Sequence, residues 1–400
     1  MGTAGLVLTG GGARAAYQVG AIVALARIAG RERNPFPVLV GMSAGAVNAA
    51  ALAVGADEFR EAVRRLGKVW RALTPEQVYR TDSARLAVIG ARWIRDLTLN
   101  GLLGENTINH LLDTAPLRRL LASALPLERV SAHVRSGALR GLAISATNYA
   151  TGTGITFFDG DPRIQPWVRS LRMGVRATMT IDHVMASAAI PLFFPPVQIG
   201  DAFFGDGCIR MLAPVSPAIH LGADRVIAIG VRHKRSPAET ATRQLARPPT
   251  SLPLAEVIGT LLNALFLDSV ELDAERLARI NQMLGVMTPE HQSSQPLHVI
   301  PLLILRPSKD LGDLAEDEQV RLPGTLRYLL QGVGGRTRGS DLLSYLAFEP
   351  VYIRRLMRLG YRDTMARSLE IEAFLRAPGE DLRTEAGLGL RKRGEWPSAL

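Results

Sequence analysis

The apolar positions change period repeatedly over the first fifty residues. Leu6-Val7-Leu8 is an uninterrupted apolar run, the pattern of a strand buried on both faces. From Ala15 to Ile28 the residues Val19, Ile22, Val23 and Ala26 recur at helical spacing. Val38-Leu39-Val40, entered through Pro37, is a second buried strand, and Gly41 to Gly45 then turns the chain into an alanine-rich helix. Strand and helix in alternation predict an α/β fold with a mainly parallel sheet covered on both faces.

The pattern changes over 57–135. Phe59, Val63, Leu66, Trp70 and Leu73 share one helical face, and amphipathic stretches follow near 86–97 and 108–121. This segment reads as a helical insertion over one edge of the sheet. Strand signals return at Leu139–Ser145 and Arg225–Gly230. The Pro-, Thr- and Arg-rich stretch 236–253 reads as a loop. A helix is expected from there to about Leu284, a last buried strand at Val299–Leu305, and helices again from Ser340 to Leu375. Beyond Pro378 a charged, glycine-containing tail is expected to be mobile. The domain expectation is thus a main unit over 1–310, a helical C-terminal region over 311–377 and a tail over 378–400.

Composition narrows the class. At 47% apolar residues the chain can bury a large core, and its longest mainly apolar run, Val257–Leu267, is too short to span a bilayer. The N-terminus lacks a basic segment followed by an apolar one, so a secretory leader is not expected and a cytoplasmic location is. Cys208 is the single cysteine, which excludes an intramolecular disulfide and a cysteine-rich metal site. The net charge of +10 is carried almost wholly by arginine. Those arginines are scattered among acids with no nucleic-acid module, so nucleic acid is not an expected partner. Peripheral contact with an anionic membrane surface is the use such charge leaves open. No oligomeric state can be read from the pattern.

Two glycine turns carry the candidate chemistry. The first, Thr9-Gly10-Gly11-Gly12-Ala13-Arg14-Ala15, satisfies the dinucleotide pattern G-x-G-x-x-G/A. A nucleotide site also needs an acid at the end of the second strand, and there the chain reads Val40-Gly41-Met42-Ser43. Glu32 precedes that strand, and no P-loop pattern is present. The second turn, Gly41-Met42-Ser43-Ala44-Gly45, is G-x-S-x-G between a strand and a small-residue helix, a setting that projects a serine hydroxyl clear of the backbone. A helix-capping role would explain Ser43 but neither Gly41 nor Gly45. Amides at the first turn could hold an oxyanion formed when Ser43 attacks a carbonyl, because glycines let the substrate approach them. Arg14 opposes the helix dipole there, which points to an anionic neighbour or a structural ion pair.

Ser43 requires a base. Only two strands fit upstream of position 43, which suits the α/β-hydrolase order poorly. Among the histidines, His183, His220 and His298 sit in segments that read as core or helix. Asp206, in Phe203-Phe204-Gly205-Asp206-Gly207-Cys208, is presented on a tight turn between two glycines.

Together these motifs resemble the patatin-like phospholipase family, whose hallmarks are G-G-G-x-[RK]-G, G-x-S-x-G and D-G-[GA] in that order. Here Ala15 replaces the last glycine of the first motif and Cys208 stands at the end of the third. The segments Ala186–Val197 and Pro214–Asp224 also resemble the family, and the likeness covers roughly 5–310. The resemblance implies a three-layer α/β/α sandwich and a Ser-Asp dyad without histidine. It implies Ser43 as nucleophile, Asp206 as general base and the stretch Gly10, Gly11, Gly12, Ala13 and Arg14 as the oxyanion segment. Within that segment the amides of Gly11, Gly12 and Ala13 would be the donors. It further implies a lipid ester substrate, no metal and no cofactor. Two rivals remain from the residues: a nicotinamide- or flavin-dependent oxidoreductase, and a non-catalytic membrane- or partner-binding protein on the same fold.

Overall fold

The computed structural model describes residues 2–30, 34–80, 110–245, 254–266, 269–288, 290–291, 294–295, 297–317 and 344–376. Strand β1 (Ala4–Leu8) is central because all five residues are buried. It pairs in parallel with β2 (Val38–Met42) on one side and with β9 (Arg225–Ile229) on the other. Beyond β9 lies β10 (Leu302–Leu305), and beyond β2 lies β3 (Gly141–Asn148), both again parallel. The order β10-β9-β1-β2-β3 is a doubly wound core of near-continuous apolar strands, as the alternation predicts.

Past β3 the sheet turns antiparallel. Strand β4 (Thr153–Gly160) returns along β3, joined to it by a turn in which Asn148 Oδ1 accepts from Ala150 N and Thr151 N and Gly152 takes φ 64°. Strands β5 (Trp167–Arg169) and β6 (Arg172–Arg176) extend that edge. Strand β8 (Ala202–Asp206) pairs antiparallel with the last residues of β3 and with β7 (Val197–Ile199). Sequence periodicity did not single out β4 to β7. Strands β5 to β7 are three to five residues long and partly exposed, and β4, eight residues long and largely buried, takes its register from the turn that joins it to β3.

Helices cover both faces. Helix α1 (Ala16–Ala29) follows a 3-10 turn at Gly12–Ala15, and α2 (Ala44–Ala53) follows Ser43. Helix α1 is apolar on more than one face because it lies between the sheet and an outer helix, Pro350–Met365. A methyl group at Gly20 would strike the Met357 carbonyl, and one at Gly360 the Tyr17 carbonyl, so the two helices cross backbone to backbone. Helix α3 (Phe59–Ala72) packs on α1 and α2, and α4 (Ala115–Ala124) follows farther along. Of the described part of the expected insertion, α3 joins the helical layer over α1 and α2, while the helix Glu128–Ser136 packs against β4; residues 81–109 lie outside the described residues.

Residues Pro237–Leu245, expected as loop, form a helix: Ser236 N donates to Glu239 Oε2 and Glu239 N to Ser236 Oγ, a capping box ahead of a proline at the first helical position. The helix expected over 254–284 is two helices, Leu254–Phe266 and Ser269–Gly285. The segments 86–97, 246–253 and 378–400 lie outside the described residues.

Candidate active site

Ser43 sits where β2 ends and α2 begins, with φ 54° and ψ −134°. That backbone is costly for a residue with a Cβ, on the order of 1 kcal/mol or more, and its retention marks a constrained turn. Its flanking glycines are required by contact. A methyl group at Gly45 would collide with the Leu8 and Thr9 carbonyl oxygens, and one at Gly41 would meet the backbone of Gly45 and Ala46 in α2. The turn is fixed from the other side too. Ser43 N donates to Ser187 Oγ at 3.0 Å, and Ser187 Oγ donates to Ser145 O at 2.6 Å.

Asp206 ends β8, opposite Ala146 of β3, and is fully buried. Cys208 N donates to its Oδ1 at 2.9 Å, while Oδ2 has no hydrogen-bond partner. Burial raises the carboxyl to about 7, against the pull of the Ser43 hydroxyl and of Cys208. The Ser43 hydroxyl thus lies close enough to the carboxylate to favour its ionised form. Gly207 is obligatory because a side chain there would run into Ser145 O. Thr147 Oγ1 holds the Asp206 carbonyl at 2.8 Å.

The first glycine turn stands beside both groups. Side chains at Gly10 would clash with Cys208 and Ser43, and one at Gly12 with the Tyr345 carbonyl. Gly11 and Gly12 have φ 155° and 55°. The Gly10 amide is directed at the Cys208 sulfur, whose thiol is pushed well up, first by burial and then by the Asp206 charge. Arg14 N donates to Gly11 O at 3.0 Å, so its amide is spent inside the turn. The Arg14 side chain turns away, with Nε donating to Ser344 Oγ at 2.7 Å and its guanidinium 4.3 Å over the Tyr345 ring. The amides of Gly10 and Arg14, the two ends of the expected oxyanion segment, are thus engaged within the turn. Gly11, Gly12 and Ala13 precede the first hydrogen bond of the 3-10 turn, where amides lack an intrahelical partner.

A chain of buried polar side chains that sequence reasoning missed braces this turn. Gln18 Nε2 donates to Thr9 O at 2.7 Å, Asn48 Nδ2 to Gln18 Oε1 at 3.0 Å, and Trp70 Nε1 to Asn48 Oδ1 at 2.8 Å. The available signal was a lone amide at a buried position in each of α1 and α2. Of the histidines weighed as a base, His183 and His220 are engaged away from Ser43. His183 Nδ1 accepts from Thr180 N at 3.1 Å, and the His220 ring stacks on Trp167.

Ser43 and Gly12 open into an apolar cleft with a cavity volume of about 120 Å³. Ala44, Val47, Ala51 and Val54 of one α2 face line it, opposite Leu66, Val69 and Trp70 of α3 and Leu117, Leu120 and Leu121 of α4. Among the described residues Arg65 is the only charged one on that lining.

A serine on a strained strand-to-helix turn, beside a buried carboxylate and a glycine turn, defines the nucleophile-elbow class of α/β proteins. The chain belongs to the patatin-like phospholipase family, whose model matches residues 6–219 and so spans all three motifs. Among solved structures it is similar to human GIVD cytosolic phospholipase A2 in complex with methyl gamma-linolenyl fluorophosphonate, at 15% identity and TM-score 0.42. That match covers 96% of this chain and 60% of the other. It is also similar to VipD from Legionella pneumophila, at 13% identity and TM-score 0.30, covering 89% of this chain and 67% of that one. No curated protein matches it. Among the described residues no helix is long and apolar enough to cross a membrane.

Proposed function

We propose that the protein is a serine hydrolase of lipid carboxylic esters, with Ser43 as nucleophile and Asp206 as general base. The observation that carries this reading is the pairing of a fully buried carboxylate, one oxygen unpartnered, with a serine held at φ 54° on the wall of an apolar cleft. Ser43 Oγ attacks the ester carbonyl carbon while its proton passes to Asp206. The carbonyl oxygen becomes an oxyanion facing the amides of Gly11, Gly12 and Ala13. Collapse expels the alcohol, which takes the proton from Asp206, and leaves an acyl-Ser43 ester. Asp206 then draws a proton from water, whose oxygen attacks that ester; collapse releases the fatty acid as Ser43 Oγ takes the proton back from Asp206. General-base help is worth about 10² to 10⁴ in rate. One oxyanion donor is worth on the order of 10² to 10³.

The cleft supports an acyl chain as the buried part of the substrate. From Ala44 to Val54 it follows α2 for ten residues, about 15 Å at the helical rise. An extended chain advances roughly 1.2 Å per bond, so this length suits about a dozen carbons. The positive charge and the family favour a phospholipid or lysophospholipid as the ester.

Treatment with a fluorophosphonate probe tests the assignment. Mass spectrometry is expected to place the adduct on Ser43, and Ser43→Ala is expected to abolish both labelling and hydrolysis of a short-chain aryl ester. Labelling at another serine, or full hydrolysis by Ser43→Ala, would refute it.

A further inference from the structure

Three described residues other than glycine have a positive φ: Ser43, Leu171 at 57° and Leu192 at 69°. The nucleophile turn accounts for the first. The two leucines are 58% and 57% exposed, so neither gains core packing in return for its backbone. Glycine or asparagine would meet the demand of such a turn at lower cost. An exposed apolar side chain kept on a strained turn needs another use.

Leu171 is the tip of the β5–β6 hairpin, and its carbonyl accepts from Gly154 N at 2.9 Å. Two other turns stand beside it. Tyr149, in the β3–β4 turn, donates from N to Phe203 O of the β7–β8 hairpin at 2.9 Å. Tyr149, Phe203 and Leu212 are 47%, 52% and 59% exposed. The strand register places these turns at the end of the sheet where Ser43 emerges. Met42 pairs with Ser145, and three residues farther out Asn148 pairs with both Thr153 and Phe204. Leu192 lies in sequence between Ile190 and Phe194, two lining residues of the cleft.

Cations gather in the same place. Arg172 follows Leu171, and the side chains of Arg172 and Arg210 close on Gly154, while the Arg210 guanidinium stands against Gly152. Neither guanidinium makes a hydrogen bond or ion pair with a described residue, and Arg169 donates only to the Val168 carbonyl. Arg172 feels Asp273, Arg276 and Arg169, and Asp273 is buried and holds Val215 N. Arg169 and Arg172 also help burial hold His220 down to about 4.

We propose that this rim docks the protein on an anionic bilayer, with Leu171 entering the boundary between headgroups and acyl chains. Arg169, Arg172 and Arg210 meet the lipid phosphates. The mixture of separate apolar tips and unpaired guanidiniums suits a fluid headgroup layer rather than a continuous apolar groove for another protein. The assignment concerns the rim alone and does not depend on the chemistry at Ser43.

The test is vesicle flotation of the full chain, with phosphatidylcholine alone or mixed equally with phosphatidylglycerol, at low and high salt. Binding is expected on the anionic vesicles and is expected to weaken with salt. Leu171→Gly should cut partitioning about tenfold, the scale of one exposed leucine burying its side chain. Arg172→Ala and Arg210→Ala should each cut it roughly fivefold. Glycine suits φ 57°, so thermal melting of Leu171→Gly should match or exceed that of the parent, and turnover of a soluble aryl ester should persist. Equal binding by parent and variants overturns the proposal, as does equal binding to neutral and anionic vesicles. Self-association that Leu171→Gly abolishes, without vesicle binding, would assign the rim to a protein contact instead. Failure of soluble-ester turnover in the parent protein would refute the hydrolase reading and leave the docking result standing.

Discussion

Replacing Asp206 by asparagine should stabilise the protein in a pH-dependent way while removing its activity. Burial lifts the carboxyl from its ordinary 3.8 to about 7, so the native state holds a proton that the unfolded chain has released across this window. Stability therefore falls as pH rises from about 4 to 7 and levels off above. Integrating that linkage from pH 5 to pH 8 gives a loss of roughly 3 kcal/mol from this one group. For a chain of this length the loss corresponds to roughly 3 °C in Tm. The amide side chain of Asp206→Asn cannot ionise, so the variant escapes it. That amide needs a partner where Oδ2 has none, a penalty of about 1–3 kcal/mol that does not vary with pH. The informative quantity is thus the Tm difference between variant and parent at pH 8 minus that at pH 5, read by calorimetry. It should be positive by roughly 3 °C, since other titrating groups are common to both proteins and cancel. A double difference of zero would refute the buried, uncompensated carboxylate. With Asp206 as the proposed base, kcat/KM of the parent protein should fall about tenfold per pH unit below 7, because the base must be ionised to accept the Ser43 proton.

Two further outcomes follow from the site. Ala51→Phe places a ring about two-thirds of the way along the cleft from Ser43, so hydrolysis of a long-chain ester should drop tenfold or more while a short-chain ester is cut at the parental rate. Equal losses on both substrates would deny the cleft a role in chain length. Asn48→Leu leaves Gln18 Oε1 and Trp70 Nε1 buried without their partner, which should cost about 2–4 kcal/mol in chemical denaturation. An unchanged midpoint would show that this polar chain does not brace the glycine turn.

The doubly wound core and the two glycine turns were legible in the chain, because each depends on local chemistry. Leu6–Leu8 and Val38–Val40 can only be buried strands, and Gly41 and Gly45 leave a serine turn with few alternatives. The Ser236-to-Glu239 capping box was equally local, but it lay hidden in a Pro- and Thr-rich composition. Other features had no local signature. Asp206 owes its raised pKa and its place near Ser43 to pairing with β3 across some sixty residues of sequence, as Ala146 opposite Asp206 shows. Arg14 looked like a cation awaiting an anion, and its Ser344 and Tyr345 partners stand more than three hundred residues away. The cleft is shared by α2, α3 and α4, so no single amphipathic pattern describes it. Residue type and spacing determined which groups could react. Long-range packing decided which of them meet, because burial and hydrogen-bond partners belong to the folded chain and not to any segment of it.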